Sequence, residues 1–312
     1  MNDYEQQQKL DVEKQGDALH QAIEDKKGNP QLIKIMCSLT NDQRQLLKDY
    51  YISAYGETLE EVLKDKLSGN FEDCMVALLD LPEVYDAKLL NKAISGAGTD
   101  EDLLSEVIAT RPKWRLEEIK EQYEKLYKVT LEEDIKGDTS GIYQKLLVAL
   151  ISGGRSENVY PNETMCKQLC EELYNKEQDD KDKDEDFFIK TFAVRSTAEI
   201  AIVAKMYQKK YKSSLFNILE KKFSGDEKNL FITLLKAILN PSKYFAERIH
   251  EALTKFSVDN KLLIRVLVTR DEIDMPEIKK WYKKLYNEEM NDTIKNKLKG
   301  EYLDLIVELI KE

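Results

Sequence analysis

A loop near residue 96 carries the clearest chemistry in this sequence. Gly96 and Gly98 stand two positions apart in the segment Ile94-Ser95-Gly96-Ala97-Gly98-Thr99-Asp100-Glu101. Because glycine lacks a Cβ, both residues allow the loop to turn its backbone carbonyl oxygens toward one point. Asp138, forty positions after Gly98, supplies a carboxylate that can complete an oxygen cage. A hard cation takes about six to eight such oxygen ligands.

A simpler interpretation of the same residues is structural. The two glycines would make a turn, and Asp138 would cap the helix that begins near Thr139. For an isolated Gly-Ala-Gly segment we would prefer this interpretation. Both interpretations stay open until the organisation of the whole chain is considered.

The composition indicates a helical protein with a large core. The chain has 312 residues, of which 42% are hydrophobic and 34% charged, with only 12 Gly and 6 Pro. This balance excludes disordered and collagen-like chains. The length predicts several core-forming units.

Net charge restricts the possible partners. The formal charge is −11, from 48 basic and 59 acidic residues. We therefore expect no nucleic-acid partner and no polybasic attachment to membranes, since both need a positive surface. An anionic partner would require a bridging cation.

The sequence shows no membrane-spanning or secretion signal. No apolar run approaches the roughly 20 residues needed to cross a bilayer, and Met1 to Gln15 is polar. We expect a cytoplasmic protein whose four cysteines are reduced thiols.

Two sequence markers reveal four copies of one unit. The first marker is a glycine that ends a short recurring element, at Gly69, Gly141, Gly225 and Gly300, with intervals of 72, 84 and 75 residues. The second marker, at Leu39, Arg111, Arg195 and Arg270, has the same three intervals. We infer an insertion before or within the third copy that includes Ser152 to Thr164.

Each copy is predicted to contain five helices, from apolar positions spaced three and four apart. In the second copy the predicted helices are Ala87 to Ile94, Glu101 to Ala109, Leu116 to Tyr127, Leu131 to Ile135 and Gly141 to Ile151. Thr99 is the predicted hydroxyl cap of the second of these helices.

Three elements of the second copy together resemble an annexin repeat. They are the Ile94 to Glu101 loop, the segment Ile108-Ala109-Thr110-Arg111, and Gly137-Asp138-Thr139-Ser140-Gly141. The resemblance extends from about Gln15 to the end of the chain. It implies an all-α fold of four five-helix repeats forming a slightly curved disc. It also implies calcium loops on the convex face, which meets acidic phospholipid.

The resemblance also implies domain boundaries and a ligand set. The predicted segments are a tail at 1–15, repeats at 16–81, 82–151, 165–240 and 241–312, and a linker at 152–164. By resemblance, Ca²⁺ is held by the carbonyls of Ile94, Gly96 and Gly98 and by the Asp138 carboxylate. Thr99 and Glu101 form a weaker neighbouring site.

The other three copies depart from the annexin pattern. At the two glycine positions the first copy has Glu24 and Lys26, and the fourth copy has Lys255 and Ser257. The acidic position is occupied by Lys66, Lys222 and Lys297. A lysine there places a like charge beside any cation.

The third copy carries an acidic run from Gln178 to Asp186 in place of the glycine loop. Its alternating acids are similar to an EF-hand, but Glu185 and Thr191 replace the Gly and Glu that an EF-hand requires. We interpret this run as a solvated loop and leave open a weak calcium affinity.

We therefore predict a calcium-dependent phospholipid-binding protein without catalytic residues, since no enzyme motif appears. It would be peripheral at the inner face of the plasma membrane, monomeric in solution, with self-association on the membrane as one option. The alternative is a calcium-independent structural annexin on the microtubule or flagellar cytoskeleton, as in the divergent protist alpha-giardins, because three sites are degenerate.

Two further groups are predicted to be structural. Asp86, Glu106, Arg111 and Arg265 match annexin positions that line a hydrophilic centre, and we favour a polar pairing over an ion path because buried charges need partners. His20 and His250 belong to no metal-ligand pattern, and ordinary helix-surface or packing roles are predicted for them.

Overall fold

The computed structural model describes residues 3–25, 27–96, 98–179 and 184–311. Every regular element in these ranges is helical, and they contain no strand. The chain divides into two compact units, one formed by Met1–Pro82 with Phe245–Glu312 and the other by Glu83–Tyr244. No helix of the described chain is both long enough and apolar enough to cross a membrane.

The first unit contains the first and fourth copies. Helices of the first copy are α1 (Asp3–Glu24), α2 (Asn29–Ser38), α3 (Asn41–Tyr55), α4 (Leu59–Lys66) and α5 (Gly69–Leu79). Those of the fourth copy are α16 (Pro241–Thr254), α17 (Asn260–Tyr286), α18 (Met290–Lys297) and α19 (Gly300–Leu309). Two helices are joined within α17 across a kink at Asp274, so the fourth copy also has five helical segments. The copies meet where α19 packs on α2 and α17 on α5.

The second unit contains the second and third copies. Helices of the second copy are α6 (Pro82–Ile94), α7 (Glu101–Thr110), α8 (Lys113–Tyr127), α9 (Leu131–Asp138) and α10 (Gly141–Ile151). Those of the third copy are α11 (Glu163–Gln178), α12 (Glu185–Ile189) with a π-helical turn at Lys190–Val194, α13 (Thr197–Tyr211), α14 (Leu215–Lys222) and α15 (Gly225–Leu239). The most extensive contact between these copies is that of α15 with α7. The five helices predicted in the second copy are confirmed, and α6 begins earlier than predicted because proline is favoured at a first helical position.

The backbone repeats with the same intervals as the sequence markers. The last helix of every copy begins at a glycine with positive φ: Gly69 (62°), Gly141 (63°), Gly225 (54°) and Gly300 (63°). The third helical segment of every copy is followed by a left-handed residue: Gly56, Lys128, Lys212 and Asn287. An L side chain is strained in the left-handed region, which explains why glycine recurs at the start of the last helix in all four copies.

A fully buried tyrosine recurs at the matching position of every copy. Tyr51, Tyr123, Tyr207 and Tyr282 are among the largest fully buried side chains. The Tyr123 hydroxyl donates to Asp134 at 2.6 Å, and the Tyr207 hydroxyl donates to Glu177. These bonds keep the phenol oxygens satisfied inside the core.

Both histidines pack on tyrosine rings. His20 stacks on Tyr55 with ring centroids 3.8 Å apart, and its Nδ1 lies 2.9 Å from the Tyr51 hydroxyl. His250 stacks on Tyr286 at 3.5 Å. The predicted packing role is confirmed.

Two segments outside the predicted repeats are also ordered. α1 begins at Asp3, inside the predicted tail, and Val12 of this helix is buried. In the predicted linker, the Arg155 guanidinium donates to the carbonyls of Arg195 at 2.9 Å and Phe192 at 2.5 Å. Burial lowers the pKa of Arg155 to about 10. Arg155 thereby satisfies carbonyls at the π-helical turn.

Candidate calcium site

The loop between α6 and α7 closes through its own backbone. Ser95 N–H donates to the Asn91 carbonyl at 2.8 Å, and Asp100 N–H donates to the Ala93 carbonyl at 2.8 Å. The second bond joins the residue before Ile94 to the residue after Thr99, so the two ends of the loop lie close together. Ile94 is buried, whereas Ser95, Gly96 and Gly98 are exposed. Ala97 lies outside the described residues.

Both glycines matter for this path. Gly98 has φ +105°, which an L side chain rarely adopts, and a Cβ there would meet nothing within 4 Å. A Cβ on Gly96 would lie 3.4 Å from the Gly98 carbonyl oxygen. The loop therefore doubles back closely enough to bring the Gly98 carbonyl oxygen near the Cα of Gly96.

The Asp138 carboxylate reaches this loop from a different helix. Asp138 is the last residue of α9 and is exposed. The Thr99 hydroxyl donates to Asp138 Oδ2 at 2.6 Å, and it lies 3.4 Å from the Asp138 carbonyl oxygen. The structure thus brings together two of the predicted site residues that stand 39 positions apart.

The helix caps differ from the prediction. The N-cap of α7 is Asp100, whose Oδ1 accepts from Leu103 N–H at 3.0 Å, so the predicted Thr99 cap is wrong. Thr99 is instead turned toward Asp138. Glu101 begins α7, and its backbone carbonyl accepts from the Tyr143 hydroxyl at 3.0 Å. The alternative role of Asp138 as a cap for the next helix finds no matching bond, because the N-cap of α10 is Ser140, without a side-chain cap bond.

Asp138 is electrostatically misplaced as a purely structural residue. A helix carries partial negative charge at its C-terminal end, where a carboxylate is disfavoured by about 0.3–1 kcal/mol and a lysine is favoured. The corresponding helices α4, α14 and α18 all end on lysine, at Lys66, Lys222 and Lys297. The second copy departs from this arrangement, and its carboxylate faces a glycine loop. This combination is expected of a cation ligand.

Lysines make internal contacts at the corresponding loops of the first and third copies. Lys66 Nζ lies 3.6 Å from Glu24 Oε1, and Glu24 stands at the first glycine position. Lys222 is buried, and its Nζ donates to the backbone carbonyl of Asp179. An ammonium group therefore contacts the loop that a cation would occupy in the third copy. Lys26 and residues 180–183 of the acidic run lie outside the described residues.

The fourth copy keeps the loop closure but changes its chemistry. Asp259 N–H donates to the Ala252 carbonyl at 2.9 Å, and Asp259 Oδ1 accepts from Leu262 N–H at 3.1 Å, as Asp100 does in the second copy. Lys255 Nζ pairs with Asp259 at 2.9 Å. Phe256, which the sequence motifs do not single out, is fully exposed. Its signal in the sequence is an aromatic residue at the position of Ala97.

Side chains alone do not form a metal centre. Among residues 3–25, 27–96, 98–179 and 184–311, no cluster of three or more His, Cys, Asp or Glu could hold an ion. A site at the second-copy loop would rest mainly on carbonyl oxygens, with one carboxylate, a donor set that suits Ca²⁺. The Thr99 to Asp138 contact fits this arrangement because it places the carboxylate at the loop.

A buried ion pair lies elsewhere in the same unit. Arg111 Nε and Nη2 donate to the two carboxylate oxygens of Asp86 at 2.7 and 2.8 Å. Their side chains are only 6% and 3% exposed. Burial disfavours the charged guanidinium, but the charge and hydrogen bonds of Asp86, together with the charge of Glu106, outweigh burial and raise the pKa of Arg111. This geometry is that of a structural pair.

The helical repeats and their loops define an all-helical protein of four repeats. Comparison with known proteins identifies the family to which this class belongs. The annexin family model matches residues 16–78, 85–150, 168–234 and 244–309. Annexin A13 of Homo sapiens is 35% identical over 304 residues, covering 97% of this chain and 96% of the relative. The chain therefore belongs to the annexin family.

Solved structures agree with this assignment. Annexin III has a TM-score of 0.92 at 32% identity, covering 96% of this chain and 94% of that structure. Calcium-bound alpha-14 giardin has a TM-score of 0.85 at 25% identity, covering 96% and 99%. Annexins are generally calcium-dependent phospholipid-binding proteins and generally not enzymes. These comparisons identify the family and not a giardin-like subgroup.

Proposed function

We propose that this annexin binds acidic phospholipid surfaces through Ca²⁺ held at the loop between α6 and α7. The ligands would be the carbonyls of Ile94, Gly96 and Gly98 and the Asp138 carboxylate, with Thr99 and Glu101 at a weaker neighbouring site. The observation that carries the proposal is the 2.6 Å bond from the Thr99 hydroxyl to Asp138, which holds the carboxylate against the loop. Bound Ca²⁺ would supply positive charge to a protein of formal charge −11.

Within this proposal, each residue has a distinct task. The glycines let the carbonyls converge, Asp138 offsets part of the cation charge, and Thr99 orients Asp138. Lipid phosphate or water would complete the coordination, since Ca²⁺ takes about six to eight oxygens. Binding would be peripheral, and we place it at the inner face of the plasma membrane.

The test is co-sedimentation with phosphatidylserine vesicles across a calcium titration. Asp138→Asn should raise the calcium concentration for half-maximal binding about tenfold, because the site loses its one carboxylate. Asp138→Lys, which introduces the residue of the other three copies, should abolish that binding while leaving thermal stability equal or higher. Glu132→Gln is the matched control, because it removes only a half-exposed carboxylate paired with Lys136 on the same helix. Unchanged calcium dependence in both Asp138 variants would contradict the proposal.

A calcium-independent cytoskeletal role is the second candidate. The contacts of Lys66 and Lys222 at two of the loops support it, because those loops are engaged without a cation. Co-sedimentation with microtubules in the presence of chelator would favour this role. Vesicle binding that chelator abolishes, together with no filament binding, would count against it.

A further inference from the structure

The loop between α16 and α17 presents an unusual side chain. Phe256 has a relative exposure of 111%, the highest of the large apolar side chains in the described chain. Its neighbours Lys255 and Ser257 are also exposed. Keeping a whole phenyl ring in water is unfavourable relative to an apolar environment.

The loop that carries Phe256 is held by its own hydrogen bonds and ion pairs. Asp259 closes this loop onto Ala252 at 2.9 Å and caps α17 at Leu262 N–H at 3.1 Å, matching the closure at Asp100. Lys255 pairs with Asp259 at 2.9 Å and with Glu251 at 3.4 Å, which ties the loop to both flanking helices. Phe256 therefore stands at the tip of an ordered loop, at the sequence position of Ala97.

The fourth copy has a lysine at the position where the second copy has Asp138. Lys297 ends α18, and Lys295 and Lys299 lie two residues to either side; all three side chains are exposed. α18 packs on α17, within the same unit as the loop. Lys297 thus places an ammonium group at the position of the Asp138 carboxylate, and Lys295 and Lys299 add two more positive charges nearby in the sequence.

An exposed aromatic ring and exposed lysines in the same copy fit a lipid surface better than a protein groove. A protein interface needs a packed apolar patch around its anchor, whereas both sequence neighbours of Phe256 are polar. A bilayer accepts a single apolar side chain at the headgroup boundary, and exposed lysines near that surface attract anionic lipids.

We propose that the fourth-copy loop is a calcium-independent contact with acidic phospholipid, in which the Phe256 ring enters the bilayer interface and Lys295, Lys297 and Lys299 face lipid phosphates. The choice of an acidic lipid surface rests on the proposed function, but the contact needs no calcium.

The first experiment compares affinity for phosphatidylserine vesicles at saturating calcium. Phe256→Ala should weaken binding about tenfold, the effect expected for losing a partly inserted ring. Ile273→Ala is the matched control, because it removes a different exposed apolar side chain, one that lies on α17, roughly 20 Å along that helix from its start. Both sites are exposed, so unchanged melting temperatures should confirm folding. Equal affinity of Phe256→Ala and wild type would overturn the proposal.

A second experiment reports insertion directly and does not depend on the calcium site. The emission of Phe256→Trp minus that of wild type isolates the new indole from Trp114 and Trp281. With excess phosphatidylserine vesicles at low salt, this difference spectrum should shift to the blue in calcium and also in chelator, and it should not shift with phosphatidylcholine alone. No shift in either condition overturns the proposal even if the protein sediments with vesicles. A shift in chelator combined with normal calcium dependence of Asp138→Asn would instead refute only the second-copy calcium site.

The lysines are tested by charge removal. Each Lys→Gln change at 295, 297 or 299 should weaken binding to acidic vesicles on the order of fivefold at low ionic strength, and the effect should shrink as salt screens the charges. Triple replacement with no loss of affinity would remove the electrostatic part of the contact.

Discussion

The buried pair of Asp86 and Arg111 allows a stability prediction worked from geometry. Asp86→Leu leaves the Arg111 guanidinium, 6% exposed, without the carboxylate that accepts two of its hydrogen bonds at 2.7 and 2.8 Å. Removing one partner of such a pair costs about 3–5 kcal/mol, because the remaining charge stays buried. For a unit of the size of Glu83–Tyr244, this corresponds to a fall in melting temperature of about 10 °C.

A double-mutant cycle separates pairing from packing. Arg111→Met alone strands the Asp86 carboxylate and should be similarly destabilising. Asp86→Leu with Arg111→Met replaces both charges by apolar groups and should recover most of the loss, since apolar replacements of buried ion pairs are often neutral. The assay is chemical denaturation at neutral pH followed by circular dichroism. If either single variant unfolds within about 1 kcal/mol of wild type, or if the two losses simply add in the double variant, the structural interpretation of this pair is wrong.

Two further predictions concern the loop and a histidine. Gly98→Ala should impair calcium-dependent vesicle binding and cost about 1–3 kcal/mol of stability through strain at φ +105°. Gly137→Ala, inside α9, is the control and should be neutral or stabilising. Equal behaviour of the two variants in vesicle sedimentation and thermal melts would refute the strain argument. Burial lowers the pKa of His250 despite the nearby charge of Glu288. The unfolded state therefore binds a proton at this histidine more readily than the folded state does. Stability is lost as pH falls below the unfolded pKa of about 6.5. His250→Asn introduces the residue found at the matching position of the second copy, where Asn91 donates to the Tyr123 hydroxyl at 3.3 Å. The melting temperature of this variant should depend less on pH below about 6.5. A pH profile identical to that of wild type would contradict the assignment of this pH dependence to His250.

The repeats and helices could be predicted from the sequence because their signals are local and periodic. Apolar spacing reports the helical face, and glycine reports a left-handed backbone, as the positive φ of Gly69, Gly141, Gly225 and Gly300 shows. The intervals 72, 84 and 75 then recur in the structure because each copy folds with the same helix order. Local signals fail where neighbouring polar residues compete, and Asp100 rather than Thr99 therefore caps α7.

The sequence alone determined the family resemblance, the four copies and the residue types at each loop: glycines with Asp138 in one copy and lysine in the other three. Only the tertiary structure decided what those side chains touch. The Thr99 hydroxyl meets Asp138 across 39 positions, and Lys222 reaches the Asp179 carbonyl across 43. It also decided that Phe256 stands fully in solvent. The physical reason is that helix periodicity is encoded within a few residues, whereas contact and exposure depend on how distant helices pack around each loop.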